Sequence, residues 1–295
     1  MKLTNLIVLI LSIGTALSSV RAEETVTPSN ATSSLAPLTA APSTGKVTGV
    51  IDIRPTIGDD LRSPYKADVR SENQIDLGYQ FSPNIYAGYR QFFYSAAGTN
   101  DLEKQSIDDS LIRVKAKNLW TSGNSSLNYE GRLYLPFADA NQQAGHNMSI
   151  RHYFIAAQKL SDSVTVQLME VPILHSYSKD GFDKSGTQTA NPTFENRVIL
   201  LGSVKITEKL GLDLPIMFHA KTNRTFAPAL NSNRLANRLW IYPELDYAIN
   251  ETYTVGVAYY SDNLMSYDDA GNYQGLDIGA GLGKGAVQAV LQVNL

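Results

Sequence analysis

The sequence contains no cysteine and only four histidines, and 18% of its residues are charged, against about 25% in an ordinary soluble protein. Without cysteine there is no disulfide scaffold, no thiol nucleophile and no Cys-ligated metal. His146, His152, His175 and His219 are scattered and form no zinc-binding spacing, so neither a metal site nor a cofactor is expected. A basic excess is missing too: 25 Lys and Arg stand against 28 Asp and Glu, which argues against a nucleic-acid partner. Long apolar runs are also scarce. The one candidate, near the N-terminus, is about 15 residues long, short of the roughly 20 that a membrane-crossing helix needs.

What is present begins with an export signature. Lys2 supplies a positive start, Leu6 to Ile13 an apolar stretch, and Val20-Arg21-Ala22 a small-residue cleavage site, so residues 1–22 are expected to be a signal peptide. Its loss leaves 23 basic side chains against 28 acidic. Residues 23–45 are rich in Ser, Thr, Pro and Ala. That composition cannot bury enough apolar surface to offset its ordering entropy, and a disordered arm is expected. The arm could act as a plain linker, or plug a pore or contact the cell wall.

From residue 46 onward, polar and apolar residues alternate in stretches of about 10 to 14 residues, the period of a β-strand with two different faces. In Gln74 to Phe81, Ile75, Leu77, Tyr79 and Phe81 face one way, and Gln74, Asp76, Gly78 and Gln80 the other. The pattern predicts twelve strands, near 47–57, 70–81, 85–95, 109–120, 125–137, 149–160, 164–175, 193–207, 212–222, 236–247, 252–262 and 274–295. Short connections such as Ser82-Pro83-Asn84 alternate with long ones rich in Asp, Asn, Gly and Ser. An even strand number with strictly alternating connections is the pattern of a transmembrane barrel, with periplasmic turns at one end and external loops at the other.

Two tight hairpins, Tyr79 to Tyr89 and Leu245 to Val257, resemble the periplasmic hairpins of Gram-negative outer-membrane porin-like barrels. The resemblance covers residues 46–295 and is architectural. It implies an antiparallel barrel in the bacterial outer membrane, in contact with lipid and lipopolysaccharide.

Folding the hairpins about their tight turns places Asp76 opposite Arg90, Lys115 opposite Glu130 and Arg113 opposite Arg132. It also sets Lys205 near Asp213 and Arg238 near Asp262. The polar face then carries eleven basic residues (Arg54, Arg90, Arg113, Lys115, Lys117, Arg132, Arg151, Arg197, Lys205, Lys221, Arg238) and six acidic ones (Asp52, Asp76, Glu130, Asp213, Glu244, Asp246). Such charges are costly against lipid, so they are expected to line an interior. Glu170 falls on the lipid-facing side, which predicts a bulge or register shift nearby. The glycine-rich run Gly279 to Gly285 is expected to be a bulge in the last strand.

Arg113, Lys115 and Lys117 project to one side of a strand and meet Arg132 from the next. Rings of basic side chains bias a pore toward anions. Arg90, Arg113, Lys115, Lys117, Glu130, Arg132, Arg238, Glu244 and Asp246 are therefore the candidate pore-lining or constriction residues. The plainer alternative is an internal salt-bridge network that props the barrel open. Ser149 falls opposite His175, the beginning of a nucleophilic pair, although the His-x-Ser sequence of outer-membrane phospholipases is missing. Twelve strands should leave a narrow pore. The expected function is passive diffusion of small hydrophilic solutes with an anion preference, without catalysis. The alternatives are a structural or adhesive barrel with a closed lumen, and an outer-membrane hydrolase. The solute, the oligomeric state, and whether the arm or loop 176–192 plugs the lumen are left open by the sequence.

Overall fold

The computed structural model describes residues 45–57, 69–97, 104–184, 187–224, 236–261, 264–267, 273–283 and 285–295. The expected signal peptide, and the expected arm apart from Gly45, lie outside these residues.

The chain runs up and down through β1 (Lys46–Ile57), β2 (Val69–Ser82), β3 (Ile85–Ala97), β4 (Lys104–Ser122), β5 (Ser125–Leu135), β6 (His146–Lys159) and β7 (Val164–Tyr177). A small hairpin, β8 (Gly181–Lys184) with β9 (Thr187–Ala190), stands apart from the sheet. The sheet resumes with β10 (Pro192–Lys205), β11 (Leu210–Asn223), β12 (Ala236–Ile241), β13 (Glu244–Ala248) and β14 (Tyr253–Tyr260). A second small hairpin, β15 (Met265–Tyr267) with β16 (Tyr273–Leu276), precedes β17 (Ala286–Asn294). β17 pairs with β14 on one side and with β1 on the other, from Val50↔Asn294 to Ile57↔Val287, which closes the sheet. β12 and β13 are two halves of one stave, both paired to β11, so the barrel has twelve staves. The staves are thus paired all the way round, as strands that cross a bilayer require. Above the break, among the described residues, β12 is laddered to β11 and joined on its other side by the Ile241↔Ser261 bridge.

The two faces have opposite chemistry. On β2, Leu77 is 49% exposed on the outside while Asp76 is 3% exposed on the inside. Leu200, Ile216, Phe218 and Val257 are likewise exposed on the outer face, and Arg90, Glu130 and Arg132 are buried on the inner one. A soluble protein does the reverse. Apolar out and charged in is stable where the surroundings are lipid.

The tight turns use one local device. The Ser82 hydroxyl oxygen accepts from the amides of Asn84 (3.3 Å) and Ile85 (3.1 Å). Thr207 Oγ1 accepts from Lys209 (3.2 Å) and Leu210 (3.0 Å), and Asn250 Oδ1 from Thr252 (2.9 Å) and Tyr253 (2.8 Å). Short polar side chains of this kind satisfy turn amides that the ladder leaves free.

Four details differ from the sequence pattern. The last stave begins at Ala286 rather than 274, and the glycine run is not a strand bulge: Ile278–Gly283 is a short helix in the preceding connection. Three glycines in six residues offer no side chains to pack on either sheet face, so a strand gains little there. The 236–247 stave breaks at Tyr242-Pro243, where proline cannot donate to the ladder. Pro215 sits across the break on β11, and Tyr242 N donates to its carbonyl (3.2 Å). No register shift accompanies Glu170: it stands opposite Phe154 on β6 and Val198 on β10, and the shift in the β6–β7 ladder falls between His146 and Met148, at its far end. The shift between β4 and β5 instead falls after Ala116, where Asn118 adopts a φ of 54°.

Candidate functional site, a charged belt inside the barrel

Three strands build the first part of the belt. Asp76 of β2 accepts from Arg90 of β3 through Nε (2.8 Å) and pairs with its Nη2 (2.7 Å); Arg113 Nη2 of β4 pairs with the same carboxylate oxygen. The Tyr86 hydroxyl donates to the other oxygen of Asp76 (2.9 Å) and accepts from Arg113 Nη2 (3.3 Å). Tyr86 can lie flat here because Gly78 and Gly88 have no Cβ; its ring occupies the space such atoms would need. Absence of a side chain at two positions thus seats an aromatic ring that orients an acid.

Glu130 of β5 organises the next part. It accepts from Arg132 Nε (2.6 Å) and lies 3.6 Å from Lys115 Nζ and 4.0 Å from Arg113 Nη1. The register sets Arg113 against Arg132 and Arg132 against Arg151 of β6, so three arginines stand side by side on adjacent staves. Like charges in this arrangement need compensation. Carboxylates provide part of it and aromatic faces another part: Arg132 lies 4.1 Å above the Tyr153 ring, Arg151 3.8 Å above Tyr134 and Arg113 5.1 Å from Tyr86. Each such contact is worth about 0.5–2 kcal/mol, more as it is desolvated.

A third part ties β1 to β13. Arg54 Nε donates to Asp52 (3.0 Å), and its Nη1 donates to Glu244 Oε2 (2.7 Å) and to the Tyr242 hydroxyl (2.8 Å). Gln74 supports Asp52 (2.9 Å), and Gln288 of β17 joins Tyr242 to Thr56.

The structure therefore brings five of the nine expected residues together: Arg90, Arg113, Lys115, Glu130 and Arg132. Glu244 is in the belt but serves Arg54 rather than these arginines. Asp246 also faces inward, packed against Gly256, and its Oδ1 is buried without a hydrogen-bond partner. Arg238 stands across from His219 on β11, away from the Arg113 group. Lys117 is not in the cluster: it is exposed beside the irregularity at Asn118, which breaks the alternation that would have carried it inward. Of the cross-strand pairs expected from the hairpins, Asp76–Arg90 and Lys115–Glu130 are ion pairs. Asp213 instead faces Ser203, and Lys205 faces Gly211. Asp262 lies outside the described residues. Tyr86 and Arg54 are central to the belt and were not among the expected site residues; the inward parity of Arg54 was visible in the sequence, but the role of Tyr86 depends on the two glycines beneath it.

Nearer the long-loop end lies a second polar group. Ser149 Oγ is 2.6 Å from both His175 Nδ1 and His146 Nε2. His175 Nε2 lies 3.3 Å from Glu195, which also meets His219 (2.9 Å) and Arg197 (3.2 Å). The Ser149–His175 pairing is as the register predicted, yet Ser149 is only 1% exposed. A nucleophile must reach its substrate, and this one is enclosed. Among the described residues no His, Asp and Glu group has the arrangement of a metal site. Beside these polar groups the inner wall turns apolar, with Tyr153, Val171, Ile173, Ile199, Met217 and Trp240 packed together. Loop 176–192 forms the β8–β9 hairpin and is stitched to residues 143–145: Lys179 Nζ donates to the Gln143 carbonyl (2.8 Å), and Asn191 Nδ2 to that of Ala144 (2.8 Å).

The basic row is concentrated on β3–β6, with Arg90, Arg113, Lys115, Arg132 and Arg151 beside Glu130, and Asp76 is supplied from β2. Half-way round, β11–β13 carry Asp213, Glu244 and Asp246 together with Lys221 and Arg238.

No protein-family model and no curated protein matches the chain. Solved structures do match in fold. An outer membrane channel from Pseudomonas putida F1 is 11% identical and covers 86% of this chain and 97% of its own, with a TM-score of 0.60. The NanC porin is 11% identical and covers 82% of this chain and 98% of its own, with a TM-score of 0.51. The chain has the closed antiparallel barrel fold of porin-like outer-membrane proteins.

Proposed function

We propose that the protein is an outer-membrane channel through which small hydrophilic solutes diffuse passively, with a preference for anions and without catalysis. The observation that carries this reading is the belt itself: a closed barrel with lipid-compatible residues outside devotes its interior to arginines, carboxylates and tyrosines. The fold shared with an outer membrane channel and a porin supports it. Anion preference is inferred from the belt row on β3–β6, where five basic side chains stand against Glu130 and against Asp76 from β2; a fixed excess of this sign raises the local concentration of counter-charged solute. Residues 1–22 would direct export, and the short turns would face the periplasm.

A second reading has its own support. Asp52, Asp76, Arg90, Arg113, Glu130 and Arg132 are each under 10% exposed, and most are engaged in ion pairs, as in a structural barrel whose lumen is held shut. Reconstitution into planar bilayers separates the two. Steady ohmic steps, with a reversal potential displaced toward that of chloride in a potassium chloride gradient, are the expected result. A folded, heat-modifiable barrel without conductance would leave the closed structural barrel as the function.

A further inference from the structure

We infer that Arg151 is the residue that binds anions inside this barrel and sets its selectivity, and that the solute it takes is a small carboxylate with an apolar body. The inference rests on the channel function proposed above and names the substrate class for it.

Most arginines of the belt are already neutralised. Arg90 and Arg113 share Asp76, Arg132 is held by Glu130, and Arg54 by Asp52 and Glu244. Arg151 differs. Among the described residues no carboxylate lies within ion-pair distance of it, and its Nε and Nη1 are buried with no hydrogen-bond partner. The face of Tyr134 lies 3.8 Å from its guanidinium carbon, and Glu195 acts on it from beyond ion-pair distance. A planar fork of donors held flat against a ring is pre-oriented for the two oxygens of a carboxylate. Arg151 also keeps part of its surface open, whereas Arg113 and Arg132 are closed off.

The second observation concerns what lies beside it. Arg151 is the last arginine of the row that begins at Arg113. Its partner on the far side, on β7, is Ile173; the row then reaches Glu195 of β10, while Val171, Ile199 and Met217 pack with Ile173 to one side of the row. Porin interiors are polar, so an apolar cluster next to an arginine without an ion-pair partner is a specific provision. A carboxylate seated on Arg151 would turn its remaining atoms toward Ile173. A fully hydrated anion would gain nothing from that neighbour; an aromatic or alkyl acid would.

The experiment uses the full barrel in detergent and in planar bilayers, with Arg151→Gln and Arg151→Lys beside the wild type, each checked for folding by heat-modifiability. Benzoate and acetate serve as probes. In the wild type, calorimetric titration should detect benzoate binding at least tenfold tighter than acetate, and benzoate should reduce chloride current where acetate does not. Arg151→Gln should lose both effects and lower the anion-to-cation permeability ratio several-fold, while Arg151→Lys keeps the charge and most of the ratio. A conducting Arg151→Gln protein with unchanged selectivity overturns the inference, as does equal or absent binding of the two acids by the wild type. A wild type that binds benzoate through Arg151 but passes no current would retain the site and defeat the channel function instead.

Discussion

Nη1 of Arg54 lies 2.7 Å from Oε2 of Glu244, 190 residues further along the chain, although β17 and β14 stand between their strands. The pair spans a chord of the barrel rather than a ladder step, and it is buried at both ends. Removing one member of such a pair strands the other charge in a poorly hydrated interior. Glu244→Gln is expected to destabilise the folded barrel by about 3 kcal/mol, the lower end of the range for broken buried pairs, because Asp52 still faces Arg54. The midpoint of urea unfolding in detergent measures this. A variant with Asp52→Asn, Arg54→Met and Glu244→Leu, which leaves no stranded charge, should be less destabilised than Glu244→Gln alone, and a larger loss would show that these side chains do not act as a group.

Glu130 holds the balance of the basic wall. Replacing it with Gln leaves Lys115, Arg113 and Arg132 facing Asp76 as the nearest remaining acid. The expected outcome is a reversal potential shifted further toward that of chloride than in the wild type, with a lower unfolding midpoint. A shift toward the cation side would contradict the assignment of this wall as the anion path.

Tyr86 depends on what is missing beneath it. A Cβ at position 78 would fall within the space of the Tyr86 ring. Gly78→Ala should therefore cost about 1–3 kcal/mol through overpacking and loosen the hydroxyl from Asp76. Adding Tyr86→Ala should recover part of the loss, which a thermal melt of the single and double variants would reveal.

The outward face can be tested at Leu200, half-way along β10 and 47% exposed. Leu200→Arg should cost about 2–4 kcal/mol in phospholipid vesicles, where that position meets the hydrocarbon interior. Leu201→Ala, one residue along, points inward and removes buried apolar surface without any lipid-facing charge. If Leu200→Arg leaves the stability of the vesicle-embedded protein unchanged, the outer face is not in lipid.

Much of this architecture was legible in the primary structure, and the limits of that legibility are physical. Alternation between Asp76 and Leu77, or Glu130 and Gly131, survives in the sequence because side chains in a strand point to opposite faces at every step. Pairs such as Asp76–Arg90 and Ser149–His175 follow from counting back across a tight turn. The count fails where the backbone departs from regular pleating. Asn118 in a left-handed conformation takes Lys117 out of the row it belonged to by parity, and the Gly279–Gly283 run leaves the sheet altogether because it has little to pack.

The sequence by itself determined that the chain forms long two-faced strands, which residues belong to each face, and which charges meet across a hairpin. These are consequences of a period of two and of short turns, and they need only neighbouring residues. Only the tertiary structure decided that Glu244 serves Arg54 rather than Arg113, and that Arg151 ends a row of compensated arginines without a carboxylate of its own. Those relationships join staves that are not consecutive, or weigh one side chain against every acid within reach. They come into being when β17 pairs with β1 and curvature brings the inner faces toward one another, a geometry that no stretch of sequence carries alone.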